Sequence, residues 1–381
     1  MKIYLVGGAV RDRLLELPYS ESDWVVVGAA PEEMTAKGFR RADRDFPVFL
    51  HPQSGEEYAL ARTEVKTAPG YKGFRVEYGP DITLEQDLLR RDLTINALAM
   101  DEAGELIDVC HGQRDLDEGL LRHITPAFTE DPVRLLRIAR FAAKLGQWGF
   151  RVAHPTYGLM KKMSTACELQ SLTAERIWRE MSKAMAEPQP WRFFEVLYRC
   201  GALQGLLPEV AAEMGEDAGG HGKSTSSAFI KALERAAALS DEASVRCAVA
   251  LFRSAAKQPD ATAWVRDRRV DKQSAQLIRD LLPFAPSEES GDEAEYLLNR
   301  VLALKPRQQP ERYRNFLAAA RALWPERMER LIPDLELARK VVSESLPAEI
   351  SDSGLSGRAL GEAIRAWRVT RLQQRLQEAH N

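Results

Sequence analysis

The first 28 residues constrain the fold more than any other stretch of this chain. Ile3-Tyr4-Leu5-Val6 is a short apolar run that reads as a buried strand. Gly7-Gly8 then lets the backbone turn tightly, and Ala9 to Leu17 reads as an amphipathic helix. A second strand, Asp23-Trp24-Val25-Val26-Val27, follows at once. Strand, glycine turn, helix and strand in that order call for a sheet carrying a helix. The same order carries chemistry. A strand followed by a Gly-Gly turn and a helix start places backbone N–H groups where a phosphate can sit, and Gly8 and Arg11 are the candidate cradle. Residues two apart on a strand share a face, so Glu21 and Asp23 can hold Mg²⁺ together. A phosphate cradle beside paired carboxylates predicts metal-assisted phosphoryl or nucleotidyl transfer.

Strand and helix patterns alternate to about residue 124. The predicted strands are 3–6, 23–28, 46–51, 56–62 and 105–109, with helices at 9–17, 31–37 and 85–101. Thr67 to Gly73 is rich in Gly, Pro and Lys and reads as a loop. Beyond residue 125 the sequence predicts no strands, only helical periodicity broken near 186–190, 206–209, 284–292 and 345–356. Gly215 to Ser227 reads as a flexible insertion and a domain boundary. The fold class is therefore α+β: a head at 1–124 with a mixed sheet and helices, a helical neck at 125–210, and a helical body and tail at 211–381.

Composition limits the partners. Net charge is −3, so a polyanion needs a local basic surface rather than a basic protein. Four cysteines stand without metal-site spacing, as expected of a reduced cytoplasmic protein. No stretch is long and apolar enough to suggest a signal peptide or a membrane span. From Arg300 to Asn381 there are 15 Lys/Arg against 10 Asp/Glu. Arg358, Arg365, Arg368, Arg371 and Arg375 interleave there with Leu360, Ile364, Trp367 and Leu372. Such a pattern is either a solvated helix packed on the body or a surface for a phosphate backbone.

Further along, Asp131, Arg134, Arg137 and Arg140 recur every three residues on a run that reads as a helix. They climb about 13 Å, comparable with a nucleoside triphosphate. Asp131 and Arg134 can present an acceptor and donors to a base edge, with Arg137 and Arg140 reaching ribose or phosphates. The competing reading is a solvated, salt-bridged helix face.

Three motifs in order now resemble one family. They are Gly7-Gly8-Ala9-Val10-Arg11-Asp12 with Glu21-x-Asp23, then Arg90-Arg91-Asp92-Leu93-Thr94-Ile95-Asn96-Ala97, then Glu130-Asp131-Pro132-Val133-Arg134. Together they resemble the class II tRNA nucleotidyltransferases, the CCA-adding enzymes, and the likeness covers about the first 210 residues well. It implies template-independent addition of C, C and A to the 3′ end of tRNA from CTP and ATP, with Mg²⁺ and release of pyrophosphate. No membrane or obligate protein partner is implied. By resemblance Arg91 contacts the triphosphate, Asp92 holds the ribose or orders the site, and Asp131 and Arg134 read the base. The chemistry suits that reading, because cytosine and adenine both offer an amino donor beside a ring-nitrogen acceptor. Arg62-Thr63-Glu64 and the loop after it match the family's flexible loop.

Two departures stand out. The family usually carries Asp-x-Asp where this chain has Glu21-Ser22-Asp23; glutamate remains a hard oxygen ligand, so activity is expected to persist. Glu57 and Glu64 are candidates for a third carboxylate. Some relatives also carry a His-Asp phosphohydrolase dyad, where this chain has Phe252-Arg253. Alternatives are a bacterial poly(A) polymerase, an enzyme adding only CC or only A, and a non-catalytic RNA-binding protein. The start at Met1 and the Asp23–Gly28 strand favour the CCA branch.

Overall fold

The computed structural model describes residues 1–19, 22–42, 46–67, 73–165, 167–216, 227–285 and 293–380. Glu21, most of the predicted loop after Thr67 and most of the predicted insertion after Gly215 lie outside them. Two compact units are present, Met1–Ala212 and Glu213–Asn381.

The first unit opens with β1 (Lys2–Val6), α1 (Gly8–Leu14), β2 (Asp23–Val27), α2 (Pro31–Ala36), β3 (Arg40–Arg41), β4 (Val48–Leu50) and β5 (Glu57–Leu60). Then come β6 (Arg62–Lys66), β7 (Phe74–Tyr78), α3 (Leu84–Leu89), β8 (Leu98–Met100), β9 (Leu106–Asp108) and α4 (Gly112–Asp117). One seven-stranded sheet has the order β3-β4-β5-β2-β1-β8-β9, and β6 and β7 form a separate hairpin. β2 pairs antiparallel with β1 and parallel with β5. Alternation on β2 sends Val25 and Val26 to opposite faces, each into its own apolar cluster. Both valines are buried, as a central strand requires.

Three sequence expectations are corrected here. The helix predicted over 85–101 ends at Leu89. Asp92 then takes the Leu93 N–H on its own carboxylate at 2.9 Å, and Leu93 is extended. Thr94–Asn96 forms one 3-10 turn, and the apolar residues after it enter the sheet as β8, beside β1. The strand predicted over 56–62 breaks at buried Ala61, after which β6 leaves the sheet for the hairpin. Strand pairing also continues past residue 125: β10 (Leu120–Leu121) runs parallel to β11 (Arg151–Val152). Two residues are too few for a period of two to register in a sequence.

The rest of the first unit is helical: α5 (Val133–Leu145), α6 (His154–Thr165), α7 (Ala174–Met185), α8 (Trp191–Arg199), α9 (Leu203–Leu206) and α10 (Pro208–Glu216), which crosses the division. α5 packs on α7 and α8 and buries Leu135, Leu136, Ile138, Ala139 and Ala142.

The second unit contains α11 (Ala228–Leu239), α12 (Ala243–Ala256), α13 (Ala261–Asp267), α14 (Lys272–Leu281), α15 (Glu293–Leu304), α16 (Pro310–Leu323), α17 (Pro325–Ser343), α18 (Ala348–Ser351) and α19 (Gly357–His380). α12 is buried on almost every side against α11, α14 and α16, so it is the core helix of this unit. Among the described residues no helix is long and apolar enough to cross a membrane.

Candidate active site

The glycine turn after β1 sets the floor of the site. Gly7 has φ +70°, and a Cβ there would stand 2.8 Å from Nη1 of Arg91. Only glycine admits that backbone and that guanidinium together. Arg91 lies just past α3, whose start is fixed by a reciprocal Thr83–Gln86 capping box. Buried Asp87 anchors the end of the same helix, accepting from Arg90 at 2.9 Å and from Arg91 at 3.1 Å. Burial opposes ionisation of Asp87, but the two guanidiniums outweigh it and hold the carboxyl below its usual range. Nε of Arg91 is buried without a partner among the described residues, so this guanidinium keeps a donor unspent beside the glycine turn.

A chain of side chains crosses the floor. Arg11, 3% exposed, donates to Asp12 at 2.8 Å and to Oδ1 of Asn96 at 2.5 Å. Nδ2 of Asn96 donates to Asp92 at 3.0 Å, and Arg137 donates to the other Asp92 oxygen at 2.6 Å. Burial pushes the Asp92 carboxyl up, but Arg137 and Asn96 more than offset this and hold it far below the carboxylate range. On α5, Arg140 pairs with Glu180 of α7 at 2.8 Å and Lys144 reaches Asp12 at 2.8 Å. The Phe141 ring gathers Arg140, Arg11 and Arg137 around it, at 4.6, 5.1 and 5.8 Å from its centre.

Asp131 does not lie on α5, contrary to the sequence reading. Pro132 disfavours helical backbone in the residue before it, and Asp131 is extended, with φ −118° and ψ 107°. Its Oδ1 accepts the Val133 N–H at 3.1 Å. Oδ2 makes no hydrogen bond among the described residues. Arg134, in the first turn of α5, donates to the carbonyls of Arg90 at 2.8 Å and Ala127 at 3.4 Å. Those bonds use two of its five N–H donors.

Nearly all the predicted site residues meet in one place. Gly8, Arg11, Asp23, Arg91, Asp131, Arg134, Arg137 and Arg140 line a single open cleft of about 1000 Å³. Glu21 lies outside the described residues. The cleft lining holds eleven Arg and Lys against six Asp and Glu, an excess of five positive charges in a chain of net charge −3. Amid those cations, Asp23 and Glu57 make no ion pair among the described residues. They are register partners on the parallel strands β2 and β5, so their side chains share a face. Two exposed oxygen donors left without cation partners fit a hard divalent cation. Glu64 does not serve, since Arg90 at 2.9 Å and Arg62 at 3.6 Å already occupy it. Sequence reasoning missed Asn96, Lys144 and the α7 residues Arg176, Arg179, Glu180 and Lys183, all of which line the cleft. Asn96 stands four residues after Asp92 in a recognised motif, which was the available signal; α7 offered none.

Known proteins resemble this chain over nearly its whole length. Residues 3–122 match the family model of the poly A polymerase head domain, and residues 149–214 match that of a probable RNA and SrmB-binding site of polymerase A. The chain is 44% identical to the multifunctional CCA protein of Thioalkalivibrio sulfidiphilus, covering 98% of each chain. It is 45% identical to the CCA-adding enzyme of Pseudomonas entomophila, over 98% of this chain and 99% of that one. In fold it is similar to a CCA-adding enzyme solved with ATP, at 23% identity and a TM-score of 0.69, covering 97% of this chain and 86% of the other. It is also similar to the Thermotoga maritima CCA-adding enzyme solved with tRNA, at 22% identity and a TM-score of 0.65, covering 97% and 87%.

Proposed function

The chain belongs to the CCA-adding enzymes, and from that membership we propose that it adds C, C and A in turn to the 3′ end of tRNA, consuming CTP and ATP and releasing pyrophosphate. The observation that carries this reading is the convergence of unpaired Asp23 and Glu57, the Gly7–Gly8 turn and the arginines of α5 on one cationic cleft. Asp23, Glu57 and Glu21 hold Mg²⁺. When bound there, the metal supplies Lewis-acid stabilisation of the charge on the attacking 3′-oxygen and the departing pyrophosphate. Arg91 and Arg11, at the glycine turn, hold the triphosphate. Arg137 and Arg140 contact ribose and phosphate, with Asp92 fixing Arg137.

Base choice falls to Asp131 and Arg134. Oδ2 of Asp131 accepts the exocyclic amino group that C and A share, and a remaining N–H of Arg134 donates to the adjacent ring nitrogen. Uracil and guanine bring a carbonyl to the carboxylate and are refused. In this reading the pair works from two sides of Pro132 rather than from one helix face.

Purified protein incubated with tRNA ending before its CCA, and with each labelled nucleotide, tests the proposal. Two C and one A are the expected product. An unlimited run of A would instead make it a poly(A) polymerase, and C or A alone a partial enzyme. Asp23→Ala should abolish addition while tRNA affinity stays within about twofold; turnover by that variant in saturating Mg²⁺ would sink the metal assignment.

A further inference from the structure

The cations of the cleft divide into two kinds. Eight of the eleven stand against a carboxylate: Arg11 and Lys144 on Asp12, Arg90 and Arg91 on Asp87, Arg62 on Glu64, Arg137 on Asp92, Arg140 on Glu180, and Arg176 on Asp131 at 3.8 Å. Arg134 is held by carbonyls. Only Arg179 and Lys183, both exposed and both on α7, have side chains without a partner among the described residues.

Helix geometry places this pair. At about 100° per residue, Arg176, Arg179, Glu180 and Lys183 fall within an arc of about 100°. Met181, Ala184 and Met185 are buried beside that arc, which turns it away from the core. Glu180 takes the inner edge and locks onto Arg140, leaving Arg179 and its i+4 neighbour Lys183 on the solvent side. The two cations thus stand together on the cleft lip, where no acid fixes or neutralises them. A ligand sealed inside the cleft meets the oriented, partly buried guanidiniums. A polyanion too large to enter, threading only its end toward Asp23, meets the lip.

The geometry points to Arg179 and Lys183 as a contact for the RNA phosphodiester backbone just upstream of the 3′ end, distinct from the residues that hold the incoming nucleotide. This assignment rests on the proposed function only in taking RNA as the primer. Two unpaired cations are an electrostatic grip with no base information, so they act on RNA affinity and on its salt dependence.

The test compares full-length protein with the double variant Arg179→Gln/Lys183→Gln and the charge-conserving Arg179→Lys/Lys183→Arg. Affinity for tRNA lacking CCA is measured from about 50 to 200 mM KCl, beside KM for tRNA and for CTP. Each single-strand phosphate contact contributes about 0.7 to the log–log salt slope, so the Gln variant should be shallower by about 1.4. Over that fourfold salt range the wild-type advantage in affinity should shrink roughly sevenfold. KM for tRNA should rise at low salt while KM for CTP stays within twofold, and the charge-conserving variant should restore the slope. A rise in KM for CTP and ATP with the RNA slope unchanged would make the pair a triphosphate contact and overturn the assignment. An unchanged slope and unchanged KM values would make it ordinary solvated charge. Should wild-type protein add nothing to tRNA, the proposed function fails separately, and the slope for direct RNA binding still decides the role of the pair.

Discussion

Asp92 shows how much of this site depends on single buried groups. It is 6% exposed, with Arg137 on one oxygen and Asn96 on the other. Because the folded carboxyl is held below its unfolded value near 3.9, the stability it contributes is present above about pH 4 and lost only as pH falls through the lower, folded value. Arg137→Gln removes the dominant favourable partner and lets burial push the carboxyl up. The sign then reverses. The variant should be destabilised by about 1–2 kcal/mol at pH 7, discounted because the guanidinium is partly exposed, and the deficit should narrow as pH falls toward 5. Melting temperature against pH reads this directly, and a deficit independent of pH would refute it. Asn96→Leu keeps the branched shape at Cγ but breaks the link between Arg11 and Asp92. It should lower kcat/KM for CTP and ATP alike and leave their preference over UTP unchanged; a change in nucleotide preference would make Asn96 a reader of bases. At this scale the sequence was informative about charge and silent about linkage. Arg90, Arg91 and Asp92 stand out by type, whereas a neutral asparagine with both amide ends engaged looks like any other polar residue.

Elements were legible where period and punctuation agreed. β1, the glycine turn, α1, β2 and α2 are close to their predicted positions because turn residues bound each of them. The 85–101 reading failed because the buried Asp92 side chain competes for backbone N–H groups, and because Ala97–Met100 suits a helix as well as a strand. Similarly, Pro132 makes Asp131 the entrance to α5 rather than part of it. The prediction for this element changes its reason but keeps its direction. Asp131→Ala and Arg134→Ala should each reduce discrimination of CTP against UTP by about 1–3 kcal/mol, since a partner left unpaired no longer rejects the wrong edge. Arg140→Gln should weaken all nucleotides alike. Equal losses with the CTP/UTP ratio intact would reduce the start of α5 to a phosphate clamp. The tail resolves a pattern the sequence left open. On α19, Arg358 pairs with Glu362, Arg365 with Glu295, and Arg371 and Arg375 with Glu344, while Arg368 donates to the Val342 carbonyl. That arrangement favours a helix packed on its own unit over a stripe reserved for phosphates.

Across the whole chain, chemistry was legible in the first unit and scarcely in the second. The first unit's motifs use residue types that ordinary packing does not require, such as a glycine at positive φ beside an arginine, whereas helical packing in the second admits many sequences. Phe252 illustrates the second case. It is 3% exposed and packs edge-on against Trp324 at 5.1 Å, so the position at which the resemblance would put a His-Asp dyad is part of an apolar core. Pure protein with Ni²⁺ or Mn²⁺ should therefore not hydrolyse a 2′,3′-cyclic phosphate, and detectable hydrolysis would contradict that. A net charge of −3, with an excess of five positive charges on the cleft lining, leaves −8 on everything else. A tRNA molecule diffusing toward this protein is attracted at the cleft mouth although the protein as a whole repels it. Unproductive collisions are thus brief, and the approach is oriented before any contact forms. The association rate should fall with ionic strength as the Debye length shortens, even where the bound complex is little changed. Stopped-flow mixing with fluorescent tRNA would measure how much of the encounter is won at a distance.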